Sequence, residues 1–276
     1  MDVRRVFLWF VPAAVGLATA LVFAGGFAAG VTGRLGRPVA DDLLPRPTPA
    51  PAAPRTGAFR IVALGDSLTR GAGDASGGYP ERVAKALRAA GTTVEVENLG
   101  VDGAETKDLL RKLTDPETRR PLAGARLILL SISGNDLSHS LRGGPPGGGP
   151  ESEDPTVAAR QAAASNLRSI LSAVRETNGS APIRLLGLYN PFPEGFDPLL
   201  ARKALLAWNV ALEEASFSVP GAVVVPTADL FAERPDRLAA DRFHPGPAGY
   251  DEIAVRVVST LGAGAKPPSL ARQSSP

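Results

Sequence analysis

Short apolar runs alternate with longer amphipathic stretches between residues 58 and 261. Runs rich in aliphatic and β-branched side chains predict strands at residues 59–64, 93–98, 126–132, 183–189 and 222–225. Apolar residues at helical spacing predict helices at residues 79–90, 105–113, 156–176, 199–217 and 247–261. Strands that alternate with helices are typical of βαβ units. The chain is therefore predicted to be an α/β protein with a parallel sheet that helices cover on both faces.

Residues 6–33 carry no charged side chain and contain many large apolar ones. A helix of roughly 20 apolar residues spans a bilayer core of about 30 Å, whereas the apolar core of a signal peptide usually has about 7 to 15 residues. Residues 1–33 are therefore predicted to contain an N-terminal transmembrane helix that anchors the chain. The alternative is a cleaved signal peptide, because small residues between positions 23 and 30 offer a peptidase site.

The charges that flank this anchor do not decide its orientation. Arg4 and Arg5 precede it, and Arg34 and Arg37 follow it, so the positive-inside count is a tie. An extracytoplasmic location suits a chain without cysteine. We therefore expect a single-pass protein of the cell membrane whose short N-terminus stays inside and whose folded domain lies outside. If the segment is cleaved, the protein is secreted instead.

Two segments beside the patterned region have little to bury. Residues 34–57 contain six prolines and predict an extended linker. Residues 263–276 predict a disordered tail. The folded domain is accordingly predicted to cover residues 58–262.

The composition excludes several classes of protein. Of the 276 residues, 44% are hydrophobic and 21% are charged, which suffices for one core and argues against a disordered, collagen-like or coiled-coil chain. Without cysteine the chain has no disulfide and no thiolate nucleophile, and with two histidines we expect no metal site and no other cofactor. The net charge of +2 is scattered along the chain, so we expect no nucleic-acid partner.

Four loops carry candidate chemical groups. In chain order these groups are Ser67 between flanking glycines, Gly100, Asn135, and the pair Asp241 and His244. Each loop by itself has a plain structural interpretation as a turn or a helix cap. Parallel sheets bind ligands at the carboxyl ends of their strands, so the four loops together predict a site at that edge.

The loop around Ser67 lacks the signatures of two other site types. No Gly-x-Ser-x-Gly elbow is present, and the nearby glycines at positions 71 and 73 do not complete a phosphate-binding motif. Asp66 is interpreted as a residue that braces the loop. Ser67 remains the candidate nucleophile.

Taken in order, these motifs make the chain similar to the GDSL, or SGNH, hydrolase family. Residues 65–68, Gly-Asp-Ser-Leu, match the first motif; Gly100 matches the second, Asn135 the third, and Asp241 and His244 have the Asp-x-x-His spacing of the last. The resemblance covers essentially all of residues 58–261. One position departs from the pattern, because Ser133 stands where the third motif often has glycine.

The resemblance implies a flavodoxin-like, three-layer α/β/α sandwich with a mainly parallel five-stranded sheet. It also implies a serine hydrolase in which Ser67 is the nucleophile, His244 the general base and then acid, and Asp241 the group that orients the imidazole. The oxyanion hole would consist of the Ser67 N–H, the Gly100 N–H and the Asn135 side-chain amide. The chemistry agrees, because a serine hydroxyl needs a base, and imidazole has an unperturbed pKa of about 6.5.

The other histidine, His139, lies four residues after Asn135, close to the Gly/Pro-rich insert at residues 141–155. No carboxylate stands near it in sequence at an orienting spacing, so it is interpreted as a solvated loop residue, with an approach to the substrate as the alternative. The insert is interpreted as a flexible loop or, alternatively, as a mobile lid beside the site.

Together these expectations predict a membrane-tethered serine esterase of the lipase, lysophospholipase or acylesterase type. It would hydrolyse carboxylic esters or thioesters. We expect a monomer that acts on a small-molecule ester, a lipid or an acetylated glycan. The alternatives are a carbohydrate O-deacetylase of the cell envelope and a non-catalytic SGNH-fold protein that binds glycan or lipid. The acyl-chain length is not predicted.

Overall fold

The computed structural model describes residues 57–142, 155–190 and 198–262. The strands are β1 (Phe59–Gly65), β2 (Val94–Gly100), β3 (Leu127–Ser131), β4 (Ile183–Leu186) and β5 (Ala222–Val225). The helices are α1 (Ser67–Arg70), α2 (Gly78–Ala89), α3 (Thr106–Lys112), α4 (Pro116–Ala123), α5 (Gly134–Arg142), α6 (Pro155–Thr177), α7 (Pro198–Phe217), α8 (Ala228–Phe231) and α9 (Pro247–Ser259). A 3₁₀ helix covers Pro235–Arg237.

The five strands form one parallel sheet in the order β2-β1-β3-β4-β5. The predicted parallel five-stranded sheet is therefore confirmed. β1 pairs with β2 on one side and with β3 on the other, so the chain changes direction across the sheet between these strands. Loops that leave β1 and β3 open a crevice at such a point, which is where sheets of this kind bind ligands.

The sheet is buried on both faces because its central strands β1, β3 and β4 are mainly apolar. In β1, Val62 and Leu64 pack into one core cluster, and Ile61 and Ala63 pack into the other. Leu109 of α3 and Ile170 of α6 belong to the first cluster. The second cluster takes its helical side chains from α2, α8 and α9. Continuous apolar strands of this type are typical of parallel sheets covered on both faces.

One expectation about local structure is wrong. The residues after β3 were expected to form a loop, but Asn135 and His139 both lie on α5. Leu137 of this helix is buried against Trp208 and Leu205 of α7, with Leu141 packed at the edge. The burial of Leu137 and Leu141, four residues apart, stabilises a short helix that sequence pattern alone did not predict.

Several predicted segments lie outside the described residues. They are the N-terminal anchor, nearly all of the linker, the C-terminal tail and most of the insert at residues 141–155. Within residues 57–142, 155–190 and 198–262, no helix has the length and apolar character needed to cross a membrane.

Candidate active site

Ser67 is the first residue of α1 and follows β1 after a sharp turn. The turn requires a glycine, because Gly65 has φ +137° and a Cβ atom there would lie 1.8 Å from the Ser131 carbonyl oxygen. Asp66 then caps α1, since its Oδ1 accepts a hydrogen bond from the Leu68 N–H at 3.0 Å. This turn places Ser67 at the carboxyl edge of the sheet.

His244 connects Ser67 to Asp241. Its Nε2 lies 2.9 Å from Ser67 Oγ, and its Nδ1 lies 2.6 Å from Asp241 Oδ2. An ionised carboxylate can only accept, so Nδ1–H donates to Asp241 and Nε2 of the neutral ring can accept the Ser67 proton. The three side chains predicted from distant motifs thus meet in one hydrogen-bonded chain.

The Asp241 carboxylate is held in its ionised form. Partial burial raises its pKa, but hydrogen bonds from the His244 ring and from the backbone N–H groups of Phe243 and His244 outweigh burial, and the net pKa lies below the ordinary value. Asp241 Oδ1 accepts from both backbone N–H groups at 3.0 Å. One carboxylate oxygen therefore shapes the turn, while the other orients the imidazole.

The loop that carries His244 is fixed by packing on both sides. Tyr189 Oη donates to the Phe243 carbonyl at 2.7 Å, and the Phe243 ring meets the imidazole edge-on at 4.9 Å between centroids. On the other side, Gly73 has φ +85°, and a Cβ there would lie 2.7 Å from the Pro245 carbonyl oxygen and 3.2 Å from His244 Cβ. Only glycine permits this close approach of the two loops.

Asn135 lies in the first turn of α5, beside Ser67. Its Nδ2 donates to the Ala104 carbonyl at 2.9 Å, which leaves the second amide hydrogen available to another acceptor. Gly103, which precedes Ala104, lines the same cleft as Ser67, Asn135 and His244. No hydrogen bond joins the Gly103 N–H to another described residue.

The structure corrects the prediction for Gly100. The Gly100 N–H donates to Asn98 Oδ1 at 3.0 Å, so it is not free to bind an oxyanion. Gly100 instead lets β2 approach α1, because a Cβ there would lie 2.5 Å from the Arg70 nitrogen. Gly103, at φ +74°, is the glycine that lines the cleft, and the sequence pair Asp102-Gly103 is a turn signal that could have identified it.

Asp136 ties α5 to the start of α3. Its carboxylate accepts from the Thr106 N–H at 3.0 Å and from Thr106 Oγ1 at 2.6 Å. Burial raises the pKa of Asp136, although the hydrogen bonds from Thr106 oppose that change.

Ser133, just before α5, has φ +88°, so it takes the backbone conformation expected of glycine at this position. The departure from the family motif therefore leaves Asn135 in the site.

A buried polar network lies behind Ser67. Ser131 Oγ donates to Asp66 Oδ1 at 2.6 Å and also lies 2.6 Å from Thr69 Oγ1, which is 3.3 Å from Tyr79 Oη. Burial raises the pKa of Asp66 to about 6, against hydrogen bonds from Ser131 and Leu68 that favour the carboxylate. Asp66 thus braces the loop, as predicted, at an electrostatic cost.

His139 has a carboxylate partner that sequence spacing did not show. Its Nδ1 is hydrogen-bonded to Glu105, which also forms an ion pair with Lys107. These two contacts, that of Lys107 first, lower the pKa of Glu105. His139 was interpreted as a solvated loop residue. Its side chain is exposed, at 63%, but the residue lies on α5 and its carboxylate partner is Glu105, the residue just before α3.

Two cavities meet at Ser67. A cavity of about 40 Å³ is lined mainly by apolar side chains, among them Leu137, Leu186, Leu188 and Tyr189. A wider cleft of about 460 Å³ is lined by a larger share of polar groups, among them Asp102, Ser138 and His139, together with Ala72 and Phe243. Among the residues the structure describes, no group of three or more His, Cys, Asp or Glu side chains is arranged to hold a metal ion.

Comparison with known proteins identifies relatives in sequence and in fold. Residues 63–252 match the model of the GDSL-like Lipase/Acylhydrolase family. The spore germination lipase LipC of Bacillus licheniformis is 30% identical over 207 residues, which cover 72% of this chain and 94% of LipC.

Solved structures show the same fold. The lipase Lip_vut3 from a goat rumen metagenome has 28% identity and a TM-score of 0.66, over 74% of this chain and 98% of that protein. Axe2, an acetylxylan esterase from Geobacillus stearothermophilus, has 19% identity and a TM-score of 0.56, over 75% of this chain and 95% of Axe2. The similarity to Axe2 concerns the fold alone.

Proposed function

We propose that this chain, which belongs to the GDSL-like lipase/acylhydrolase family and is a carboxylic ester hydrolase, cleaves esters through an acyl intermediate on Ser67. The observation that carries the proposal is the hydrogen-bonded chain from Asp241 through His244 to Ser67, with distances of 2.6 and 2.9 Å. A serine hydroxyl with an oriented imidazole at hydrogen-bond distance is the arrangement that nucleophilic catalysis requires.

In the acylation step, Ser67 Oγ attacks the ester carbonyl carbon while His244 Nε2 takes the hydroxyl proton. Asp241 holds the ring so that Nε2 faces Ser67, and it stabilises the imidazolium that forms. His244 then gives the proton to the leaving alcohol as the C–O bond breaks. The acyl group remains on Ser67 as an ester.

In the second step water is the nucleophile and Ser67 is the leaving group. His244 takes a proton from water, the resulting hydroxyl attacks the acyl carbon, and the proton passes to Ser67 Oγ as the carboxylic acid leaves. Both steps develop negative charge on the carbonyl oxygen. We assign the Ser67 N–H, the Asn135 amide and the Gly103 N–H as the donors for this charge, with Gly103 in place of Gly100. Loss of one such donor typically lowers kcat by about 10² to 10³.

The apolar cavity beside Ser67 supports a short acyl group. Its volume is only about 40 Å³, against about 460 Å³ for the wider cleft, and its lining is mainly apolar. We therefore propose hydrolysis of esters with a short acyl group such as acetyl. Longer acyl groups would have to leave this cavity and lose apolar contacts.

The polar lining of the wider cleft favours carbohydrate O-deacetylation as a second candidate function. Asp102, Ser138 and His139 offer hydrogen-bonding groups where an alcohol would leave. Acetylated sugars would place an acetyl group in the small cavity and hydroxyl groups in the cleft. A non-catalytic binding role is less well supported, because Ser67 and His244 are already in contact.

Rapid quenching tests the covalent intermediate. We expect the intact mass of the protein to increase by one acetyl group within the first turnover of p-nitrophenyl acetate, with the acetyl group on the Ser67 peptide. Ser67→Ala should abolish this increase, whereas Ser169→Ala, an exposed serine on α6, should preserve it. A folded wild-type protein that hydrolyses the ester without a labelled Ser67 would contradict the proposal.

We also propose that residues 6–33 tether the enzyme to the cell membrane, on the basis of their length and lack of charge. The full chain should stay in the membrane fraction after washing with alkaline carbonate. A shorter mature chain in the medium would show that the segment is a cleaved signal peptide instead.

A further inference from the structure

The wider cleft contains an exposed histidine that the proposed mechanism does not use. His139 lines this cleft together with Ser67, Asn135 and His244. His139 follows Asn135 by four residues on α5, so the two side chains are neighbours on one face of the helix, about 6 Å apart along its axis. In an ester whose carbonyl oxygen is bound by Asn135, a hydroxyl group a few bonds along the alcohol lies at a comparable distance from that oxygen.

The His139 ring is held in place. Glu105 binds Nδ1, and the Glu105 side chain is only 15% exposed, whereas that of His139 is 63% exposed. The ionised Glu105 accepts, so Nδ1–H donates, and no hydrogen bond joins Nε2 to another described residue. His139 therefore presents a fixed ring nitrogen at the edge of the cleft.

The two cavities at Ser67 differ in polarity. Leu186, Leu188 and Tyr189 line the small cavity, whereas Ser138 and His139 line the wider cleft. An ester bound at Ser67 extends to both sides of its carbonyl carbon. The acyl group, which is apolar, matches the small cavity, and the leaving alcohol is then directed into the polar cleft.

We propose that His139, oriented by Glu105, binds a hydroxyl group of the leaving alcohol and makes the enzyme prefer esters of polyhydroxylated alcohols. This inference rests on the proposed function, since it assumes acyl transfer to Ser67. His139 acts as a specificity-determining residue: Nε2 accepts a hydrogen bond from the alcohol, or donates one when the ring is protonated. The proton of the reaction still moves through His244.

The same site would bind an alcohol that enters the cleft after acylation. Such an alcohol gives its proton to His244 Nε2 as its oxygen attacks the acyl carbon. The bond to Ser67 Oγ then breaks, and Ser67 receives the proton. The products are a new ester and free Ser67, so transfer to an added alcohol is the reverse of acylation. Its yield relative to hydrolysis therefore reports binding in the cleft.

Three acetate esters test the preference, because they share the acyl group and differ in the alcohol. We expect His139→Ala to lower kcat/KM for glycerol monoacetate roughly three- to tenfold, as the loss of one hydrogen bond predicts. The values for methyl acetate and p-nitrophenyl acetate should stay within about twofold of wild type, because these alcohols lack a further hydroxyl group. His139→Gln, which keeps a donor and an acceptor, should recover part of the loss.

Ser140→Ala is the matched control on the same helix, because Ser140 Oγ bonds the Leu137 carbonyl and does not line the cleft. It should leave all three values unchanged. Equal losses for the three esters in His139→Ala would indicate a merely structural role and would overturn the inference. Unchanged values for all three would also overturn it.

The partition of the acetyl-enzyme gives a second readout that does not depend on the amount of active protein. With p-nitrophenyl acetate as donor and added glycerol, the ratio of glycerol monoacetate to acetate should fall roughly three- to tenfold in His139→Ala. The same ratio in both proteins would overturn the inference while leaving the nucleophile intact. Wild-type protein that cleaves none of the esters would instead refute the proposed function, and this inference with it.

Discussion

Asp66 should make the folded state less stable as the pH rises. The residue is 4% exposed, and burial raises its pKa from 3.8 to about 6. Between these two values the folded protein keeps a proton that the unfolded chain has released, so each increase in pH favours unfolding. A difference of about 2 pH units corresponds to a free energy on the order of 3 kcal/mol, at about 1.36 kcal/mol per unit. This loss is absent below the lower value and complete above the higher one.

The variant Asp66→Asn removes the ionisation and keeps an oxygen that can accept from Leu68 N–H and Ser131 Oγ. Urea unfolding followed by circular dichroism, at several pH values between about 4 and 8, measures the effect. Relative to wild type, the free energy of unfolding of the variant should increase by about 2.5 kcal/mol from pH 4 to pH 8, because part of the total change has already occurred at pH 4. Asp236→Asn, at a carboxylate that is 62% exposed, should show a change below about 0.5 kcal/mol. If the free energy of unfolding depended on pH in the same way for Asp66→Asn and wild type, the raised pKa of Asp66 would be refuted.

Three further variants test the geometry of the site by steady-state kinetics with p-nitrophenyl acetate. Asn135→Ala should lower kcat by about 10² or more with KM nearly unchanged, because the amide binds charge that develops in the transition state; a change in KM alone would contradict this. Asp136→Asn should lower kcat about tenfold, because the amide nitrogen cannot accept a hydrogen bond and one of the two bonds from Thr106 that position α5 is lost. An unchanged kcat would exclude this positioning role. Gly73→Ala should lower kcat/KM at least tenfold by displacing the His244 loop, whereas Gly91→Ala, also at positive φ but with nothing within 4 Å, should keep wild-type activity.

The sheet could be predicted from sequence because its central strands are mainly apolar. In β3, every position from Leu127 to Ser131 is buried, and the four residues from Leu127 to Leu130 form the continuous apolar run that is typical of a buried strand. The helix α5 could not be predicted in the same way. Its stability depends on Leu137 packing against Trp208, a residue about 70 positions later, and periodicity within nine residues does not show such a contact.

The same distinction holds for the site. The spacing of Asp241 and His244 is local, so their contact follows from a turn and could be predicted. The choice between Gly100 and Gly103 is less local. The Asp102-Gly103 pair signals a turn, but only the structure shows that the Gly100 N–H already donates to Asn98 Oδ1. The Glu105–His139 contact joins residues 34 positions apart and required the packing of α5 on the start of α3.

Labelling with a fluorophosphonate tests the central claim most directly, because the reagent reacts with a serine that an adjacent base activates. In the folded full-length protein, the account predicts one labelled peptide, which contains Ser67. Labelling should be lost in Ser67→Ala, fall by about 10² or more in rate in His244→Ala, and persist in Ser169→Ala. Folded wild-type protein that remains unlabelled, or that carries the label on another serine, would contradict the assignment of Ser67 as the nucleophile.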